Sequence, residues 1–234
     1  MIDLPQSTSV AWKPYLLIII GLLHWGLIFP HAFAQETDQK PRFMIGPTGG
    51  VNFCSVVFQP TIQQVPKLGY DAGVIFRYDV TKFAGVWVEI DYSKRGWKEV
   101  NEKVPGYAYM RELSFVNVPI MTHFMVGNSS FKPTIDMGAS FGYYLGEHGT
   151  TLLPDGKKKV KIPMAHHDTP IQNKLFWGVG GGVGLEYHSA HIVVGLRGSY
   201  TYGFGDLFHN ARTDTFVKSS EQIISTKAYV LYAF

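Results

Sequence analysis

The sequence has little of what soluble enzymes and nucleic-acid-binding proteins usually carry. Its single cysteine, Cys54, excludes a disulfide framework and any cysteine-rich zinc module. Charged residues make up 17% of the chain, below the roughly 25% of an ordinary soluble domain. The formal net charge of +3 supplies no strong basic field, so we expect no nucleic-acid partner. We also expect that something other than water covers part of the surface.

What the sequence does contain points to β-structure. Aromatic residues reach 15%, which argues against disorder, and the 25 glycines argue against a helical bundle. No stripe of apolar residues with a period of 3.6 persists after the N-terminal region. Alternation with a period of two recurs instead, as in strands that have two different faces.

Residues 1–34 have the features of a secretory signal peptide. Asp3 and Lys13 precede an apolar run from Tyr15 to Phe29, and the small-residue pattern Ala32-Phe33-Ala34 predicts cleavage after Ala34. The run is shorter than the ~20 residues that a membrane-spanning helix needs. The alternative is an uncleaved membrane anchor. We assign residues 35–41 to a short periplasmic segment and residues 42–234 to one β-barrel domain.

Eight segments of the presumed mature chain alternate apolar with small or polar residues. The clearest runs from Lys174 to Tyr187, where one face carries Leu175, Trp177 and Val179 and the other is mostly glycine. The eight segments are Arg42–Phe53, Tyr70–Val80, Val86–Ser93, Leu113–Val126, Phe131–Leu145, Lys174–Tyr187, Ile192–Phe204 and Glu221–Phe234.

The connections alternate in length. Three are short, at residues 81–83, 127–130 and 188–191, and four are long, at residues 54–67, 94–112, 146–173 and 205–220. Antiparallel partners face the same way, so the apolar phase lets Val80 face Ala84, Val126 face Phe131, and Tyr187 face Ile192. An even strand number with short turns on one side predicts an all-β, eight-stranded antiparallel transmembrane β-barrel of the outer-membrane type, with both termini periplasmic.

Aromatic residues on the apolar face gather near the predicted strand ends. The predicted belt at the short-turn end consists of Phe43, Tyr78, Phe124, Phe131, Tyr187 and Phe234. The predicted belt at the long-loop end consists of Tyr92, Tyr143, Trp177 and Tyr202. The rival interpretation is a soluble, lipocalin-like periplasmic barrel that is apolar inside. Such a barrel needs a charged outer face, whereas the non-apolar faces here are glycine, serine and threonine with isolated charges.

Several stretches resemble the PorT-like outer-membrane β-barrel family of the Bacteroidetes. They are Gly69-Tyr70-Asp71-Ala72-Gly73-Val74, Glu89-Ile90-Asp91-Tyr92-Ser93-Lys94-Arg95-Gly96-Trp97, Val116-Asn117-Val118-Pro119, Gly138-Ala139-Ser140-Phe141-Gly142-Tyr143 and Gly205-Asp206-Leu207-Phe208. The resemblance implies an outer-membrane location in a Gram-negative cell. The founding member of that family is implicated in type IX protein secretion, but most relatives have no assigned role, and the family supplies no catalytic motif.

Charged residues on the inward faces are the first candidates for a site. They are Asp71, Arg77, Glu89, Asp91, Asp136, Glu186, Arg197 and Lys227. An eight-stranded barrel is only wide enough inside for side chains, so we expect these groups to pair with one another. The turn at Val80 places Arg77 diagonally near Glu89 and predicts an ion pair between them. The functional alternative is a path for a solute or protons.

The longest loop contains the adjacent residues His166, His167 and Asp168, which raise the possibility of a metal site or a His-Asp hydrolytic pair. Neighbouring side chains on an extended backbone point in opposite directions, which spoils both geometries. No Gly-x-Ser-x-Gly or His-Glu-x-x-His motif accompanies them. We therefore expect a solvated loop.

Two further features have an ordinary and a functional interpretation. Lys157, Lys158, Lys159 and Lys161 could contact anionic lipid phosphates or simply keep the loop soluble, and the second is our expectation. Cys54 is placed just after the first strand and has no partner cysteine, so we expect a spectator thiol, with a reactive or intermolecular role as the alternative.

Taken together, the sequence predicts an outer-membrane protein that acts as an anchored scaffold or binding protein, with outward loops and a link to secretion or envelope function. The expected partners are outer-membrane lipid, including lipopolysaccharide, and a protein of the outer membrane. We assign no catalytic, cofactor-binding or metal-binding residues and expect no cofactor and no enzymatic activity. The alternatives are a lipid- or peptide-modifying membrane enzyme and a narrow transporter or porin.

Overall fold

The computed structural model describes residues 42–100, 108–152, 167, 169–210 and 215–234. Eight antiparallel strands pair in chain order, and β1 also pairs with β8 to close a barrel. The strands are β1 Arg42–Gln59, β2 Gln64–Asp79, β3 Ala84–Val100, β4 Ala108–Met125, β5 Phe131–Leu152, β6 Leu175–His188, β7 Ile192–Asp206 and β8 Lys218–Ala233. The predicted eight-stranded antiparallel barrel is confirmed.

The two faces of the barrel wall differ as the alternation predicts. Outward positions such as Val183, Leu196 and Ile224 are exposed and apolar, whereas all eight predicted inward charges are buried. A soluble barrel of the lipocalin type has the opposite arrangement. The soluble alternative is therefore wrong, because burying so many charges inside and leaving an apolar band outside matches lipid and not water as the surrounding medium.

The predicted aromatic belts lie where expected around the barrel. All six members at the short-turn end are exposed, as are Tyr92, Tyr143 and Trp177 at the long-loop end. Tyr202 is half-buried, and its hydroxyl is 2.9 Å from the Nζ atom of Lys218. Strands continue past this second belt, since β3 runs on to Val100. The barrel wall therefore extends beyond the apolar band on the long-loop side.

The strand ends on that side differ from the prediction. β1 was predicted to end at Phe53 and β5 at Leu145, whereas they continue to Gln59 and Leu152. Beyond the belt the pattern inverts: Trp97 and Leu113 point inward and are fully buried, while Lys94 and Glu112 lie outside. Outward positions beyond the belt do not contact lipid, so polar residues occupy them and apolar residues occupy inward positions. The strand pairing continues, and each side chain keeps the direction that the alternation predicts.

At all three short turns the paired residues lie on the predicted faces, but at two of them the residues that pair are not the predicted ones. Val80 donates to the Ala84 carbonyl as expected. Val126, predicted to face Phe131, instead donates to Pro133, and Tyr187 pairs with Val194 and not with Ile192. Both shifts are by two residues, which leaves every side chain on its predicted face. Periodicity alone cannot detect such a shift.

The N-terminal assignments, residues 1–34 and 35–41, lie outside the described residues, and the domain division stays a prediction. Within the part of the chain that the structure describes, no helix has the length and apolar character required to cross a bilayer.

Candidate functional site

The barrel interior near the short-turn end is organised around the Glu186 carboxylate. Arg77 donates to Glu186 through Nη1 at 2.6 Å, and Tyr229 donates through its hydroxyl at 2.7 Å. His188 Nε2 lies 2.7 Å from the same carboxylate, and His123 Nε2 lies 3.3 Å from it. Four side chains from β2, β4, β6 and β8 thus converge on one buried anion and connect these strands inside the barrel near the short turns.

The ion pair predicted between Arg77 and Glu89 is not formed, and this prediction is wrong. Arg77 binds Asp79, two residues along the same face of β2, as well as Glu186 across the barrel. Opposite Arg77 on β3 stands Trp87, which is fully buried. A closed barrel gives each inward side chain partners from distant strands, so proximity on one hairpin does not decide the pairing.

Halfway up the barrel, Lys227 joins two carboxylates from β3. Its Nζ atom is 2.7 Å from Glu89 Oε1 and 2.9 Å from Asp91 Oδ2, with Asp71 at 3.9 Å. Arg197 Nη2 donates to the other oxygen of Glu89 at 3.0 Å. Two cations and three anions therefore lie within one layer, which offsets the cost of removing each charge from water.

The next layer holds a two-point ion pair between Arg95 and Glu221. The guanidinium carbon of Arg95 lies 3.8 Å from the ring centroid of Phe115 and 4.5 Å from that of Phe176. Cys54 is completely buried beside this pair, with its sulfur 3.8 Å from Glu221 Oε1. Cys54 lies inside β1 and not after its end, and its thiol is enclosed by the barrel.

Above the polar layers, the mouth of the barrel is filled by a cluster that we call the apolar plug. Trp97 and Phe58 pack edge to face at 5.3 Å between ring centroids, and Phe216 lies 4.8 Å from Phe58. The plug comprises Val56, Phe58, Trp97, Leu113, Phe115, Ile171, Phe176, Leu207, Phe208, Phe216 and Ile223. Four of these, Ile171, Leu207, Phe208 and Phe216, come from the connections β5–β6 and β7–β8, so segments outside the strands fold inward across the opening.

One cavity lies among the polar layers inside the described part of the barrel. Its volume is about 40 Å³, and its lining includes Asp91, Asn117, Arg197, Ser199 and Lys227. Because a water molecule occupies roughly 30 Å³ of liquid volume, the cavity has room for about one. The polar lining matches such a water, and the cavity is too small for a solute of metabolite size.

At the rim of the long-loop end, His167 is held by neighbouring strands. Its ring stacks on Tyr109 with centroids 3.7 Å apart, and its Nε2 atom lies 2.9 Å from Glu99 Oε2. Arg111 Nε donates to Glu147 at 2.8 Å, and its Nη2 donates to the Thr169 carbonyl. With a side chain only 10% exposed, His167 does not belong to a solvated loop, so this expectation is wrong for that residue. His166 and Asp168 lie outside the described residues.

On the outer surface just beyond the aromatic belt, Glu112 lies between two lysines. Its carboxylate is 3.1 Å from Lys67 and 2.9 Å from Lys94. Lys94 also lies 6.0 Å from the ring centroid of Tyr70. Lys157, Lys158, Lys159 and Lys161 lie outside the described residues.

Sequence reasoning missed several members of the interior network. Arg95, Glu221, His123 and Arg111 are all buried and paired but were not singled out. His123 contacts Asp136 through Nδ1. For Arg95 the sequence does contain a signal, because Arg95 follows Glu89 and Asp91 at a spacing of two residues and therefore lies on the same inward face of β3. The prediction does not include Arg95 because it ends that strand at Ser93.

A family model described as an outer membrane protein beta-barrel domain matches residues 33–209, which is more than half of the chain. Comparison with curated proteins gives no match.

Three solved structures with a similar fold have low sequence identity to the chain. Neisserial surface protein A is 13% identical, with 84% of this chain and 100% of that one covered and a TM-score of 0.45. Ail of Yersinia pestis, crystallised with the heparin analogue sucrose octasulfate, is 14% identical over 82% and 99%, with a TM-score of 0.41. Outer membrane protein W of E. coli is 14% identical over 85% and 100%, with a TM-score of 0.40.

Proposed function

Because the chain belongs to the family of outer membrane protein β-barrel domains, we propose that it is a non-conducting, membrane-anchored binding protein. In this proposal the long-loop end faces the outside of the cell and both termini are periplasmic, as is usual for barrels with short turns on one side. The barrel serves as the anchor, and the rim of long strands with its loops serves as the binding surface.

The filled interior is the observation that carries this proposal. Arg77, Trp87, Arg95 and Trp97 are among the largest side chains that are fully buried, with Arg77 and Trp87 paired near the short turns and Arg95 and Trp97 near the long-loop end. The apolar plug then covers the polar layers at the mouth. Moving a hydrated ion through this interior would require breaking buried ion pairs and displacing the plug together. These features support an anchor in preference to a channel.

The long-loop end supports the binding part of the proposal. Strands that continue beyond the belt raise the rim above the apolar band, and β3, β4 and β5 stay paired as far as Val100, Ala108 and Leu152. The plug residues Leu207 and Phe216 hold the connection between β7 and β8 against this rim. A partner would therefore meet a preorganised surface, which lowers the ordering cost of binding.

The partner that we propose is a protein or lipid of the envelope. We also propose that the chain is related to the PorT-like barrels of the Bacteroidetes and has a link to secretion. This part of the proposal rests on the resembling stretches, of which Tyr92-Ser93-Lys94-Arg95-Gly96-Trp97 is the most specific. In the structure this stretch crosses from the aromatic belt into the plug.

Two measurements test the proposal. In planar bilayers the purified protein should show no steady, ion-selective current, and a reproducible current would contradict the closed interior. In native outer membranes, a photo-cross-linking residue at the rim position Thr150 should capture a defined partner, whereas the same residue at Lys132, near the short turns, should not. Equal capture at both positions would contradict the assignment of the binding surface to the long-loop end.

The second candidate function is a lipid- or peptide-modifying enzyme, and the contact between His167 and Glu99 favours it. A carboxylate beside an imidazole can orient the ring for general base catalysis. Replacement of His167 by Ala should abolish turnover of an added phospholipid or peptide if this candidate is correct. We expect no turnover from the unaltered protein, since the imidazole is stacked on Tyr109 and the rim provides no recognisable nucleophile motif.

A further inference from the structure

A groove on the outward face of the wall crosses three neighbouring strands. Its walls are two rows of directly paired residues, one formed by Val118, Phe141 and Trp177, the other by Val116, Tyr143 and Leu175. Both rows run from β4 through β5 to β6. The groove has a volume of about 490 Å³, within the ~300–1,000 Å³ of ordinary ligand pockets.

The shape of the groove follows from the side chains on the three strands. The valines on β4 are short and half-buried, whereas Phe141 and Trp177 stand out from the wall and are exposed. A depression therefore lies over β4 and β5, with aromatic rings along its border. Tyr143 and Trp177 belong to the belt at the long-loop end, so the groove lies where the apolar band meets the polar region of the membrane.

A second, polar pocket adjoins this groove at its upper end. It has a volume of about 580 Å³, and Leu175 and Trp177 line both spaces. The other lining residues are Gln172, Asn173, Lys174, Gly205, Asp206 and Asn210. The apolar groove and the polar pocket therefore meet at the side chains of Leu175 and Trp177 on β6.

The polar pocket is lined by one acidic and one basic side chain. Asp206 lines it, but its carboxylate already accepts hydrogen bonds from the Ser219 N–H at 2.6 Å and from Asn210 Nδ2 at 3.1 Å. Lys174 is exposed, and its backbone carbonyl accepts a hydrogen bond from Tyr144, which fixes its position at the start of β6. The ammonium group of Lys174 is thus the charge that the pocket offers to a ligand.

We propose that the groove and the pocket together bind one membrane lipid with an anionic, phosphorylated headgroup. An acyl chain lies along the groove between the valines of β4 and the rings of Phe141 and Trp177. The phosphate lies against Lys174, where a charge-assisted hydrogen bond forms. The inference rests on the proposed function only in assigning this lipid to the outer leaflet.

The location of the groove selects a lipid as the occupant. The groove is part of the outward apolar surface and continuous with the band that contacts acyl chains, so a chain enters it from the bilayer without crossing water. The polar pocket begins at the height where lipid headgroups lie. An amphiphile with its tail below and its phosphate above matches the apolar groove and brings the phosphate to Lys174.

Lipid retention in detergent micelles tests the proposal, because it does not depend on orientation in the cell or on a protein partner. The purified full chain is incubated with bisphosphorylated lipid A or with phosphatidylcholine and analysed by native mass spectrometry. We expect one retained lipid A molecule and little phosphatidylcholine. Lys174→Gln should weaken lipid A retention about tenfold, the factor that corresponds to loss of one hydrogen bond to a charged group.

A second variant tests the acyl-chain groove without changing charge. Val116→Trp should fill the groove and reduce retention of lipid A by about tenfold or more, and tryptophan at this height is compatible with the membrane interface. Two matched controls should retain lipid A as the unaltered protein does. Lys218→Gln removes a half-buried cation at the same end, and Val51→Trp enlarges an outward residue on β1, away from the groove.

Unchanged retention in both Lys174→Gln and Val116→Trp would overturn the proposal. An equal loss in Lys218→Gln would also overturn it, since the attraction would then come from the overall surface charge. Equal retention of phosphatidylcholine and lipid A would contradict the role of Lys174. A failure in these micelle measurements leaves the cross-linking and conductance tests of the proposed function unaffected.

Discussion

Arg95 on β3 and Glu221 on β8 form a two-point ion pair inside the barrel. Nε of Arg95 donates to Oε1 of Glu221 at 3.0 Å, and Nη2 donates to Oε2 at 2.9 Å. Both side chains are almost inaccessible to solvent, and the guanidinium is enclosed by Phe115 and Phe176. The pair marks the boundary between the polar layers and the apolar plug, so it closes the charged interior on that side.

Removing the charge of Glu221 should destabilise the barrel strongly. Glu221→Gln keeps the size of the side chain but leaves Arg95 buried without its counter-charge, which costs about 3–5 kcal/mol. Urea unfolding of the protein in phospholipid vesicles, followed by tryptophan fluorescence, measures the loss. Glu112→Gln, at the half-buried cluster with Lys67 and Lys94 on the outer surface, is the matched control and should cost far less. Equal losses would show that burial does not determine the strength of these pairs.

The layer around Lys227 should respond as a coupled unit. Lys227→Met places Glu89 and Asp91 together without their shared cation, and we expect a loss of about 3–5 kcal/mol in the free energy of unfolding. Adding Asp91→Asn removes one of the two anions and should restore about 0.5–3 kcal/mol of it. A double-mutant cycle by urea unfolding measures this coupling. Strictly additive losses would contradict a shared role for the lysine.

Gly195 should not tolerate a side chain, because the ring of Tyr229 occupies the space beside it. A Cβ atom at Gly195 would lie 2.2 Å from Cζ and 2.4 Å from the hydroxyl oxygen of Tyr229, which donates to Glu186. Gly195→Ala should therefore cost about 1–3 kcal/mol through overpacking. Gly198→Ala, on the same strand with nothing within 4 Å, should leave stability nearly unchanged. If the two variants unfold at the same urea concentration, the close packing of Tyr229 is refuted.

An arginine substituted on the outward face should destabilise the barrel more strongly when its position lies deeper in the membrane. Leu196 is 57% exposed near the middle of the apolar band, and Leu196→Arg should cost about 2–4 kcal/mol in lipid vesicles. Leu68 is equally exposed but lies beyond Tyr70, whose ring centroid is 6.4 Å from that of the belt residue Tyr92, so Leu68→Arg should cost about 1 kcal/mol or less. A loss at Leu68 as large as that at Leu196 would place the bilayer boundary higher than the belt.

The sequence is sufficient to predict the fold because one physical requirement dominates the strands. Lipid outside and a narrow interior force the alternation seen between Lys174 and Tyr187, and the aromatic residues mark where the lipid ends. The same reasoning fails beyond the belt. There Trp97 and Leu113 turn apolar groups inward, so the end of the lipid-facing pattern was interpreted as the end of the strand.

Pairing inside the barrel could not be predicted from the sequence in the same way. Arg77 and Glu89 are diagonal neighbours on one hairpin, but each binds partners from the far wall, which only the closed barrel brings within reach. Register at the turns was likewise undetermined, since shifting Val126 from Phe131 to Pro133 preserves every face. Periodicity predicts whether a side chain points into the barrel or outward, whereas the partners of an inward side chain depend on how the barrel closes.

The pairing of β1 with β8 also has a consequence for how the molecule forms. Phe234 donates from its backbone N–H to the carbonyl of Phe43 at 3.0 Å, so the seam unites the two most distant stretches of the barrel sequence. Such a contact has the largest loop-closure cost, and hairpins between neighbouring strands can assemble before it. We therefore expect an eight-strand open sheet to be the last species before completion, with β1 and β8 as two free edges until they pair with each other.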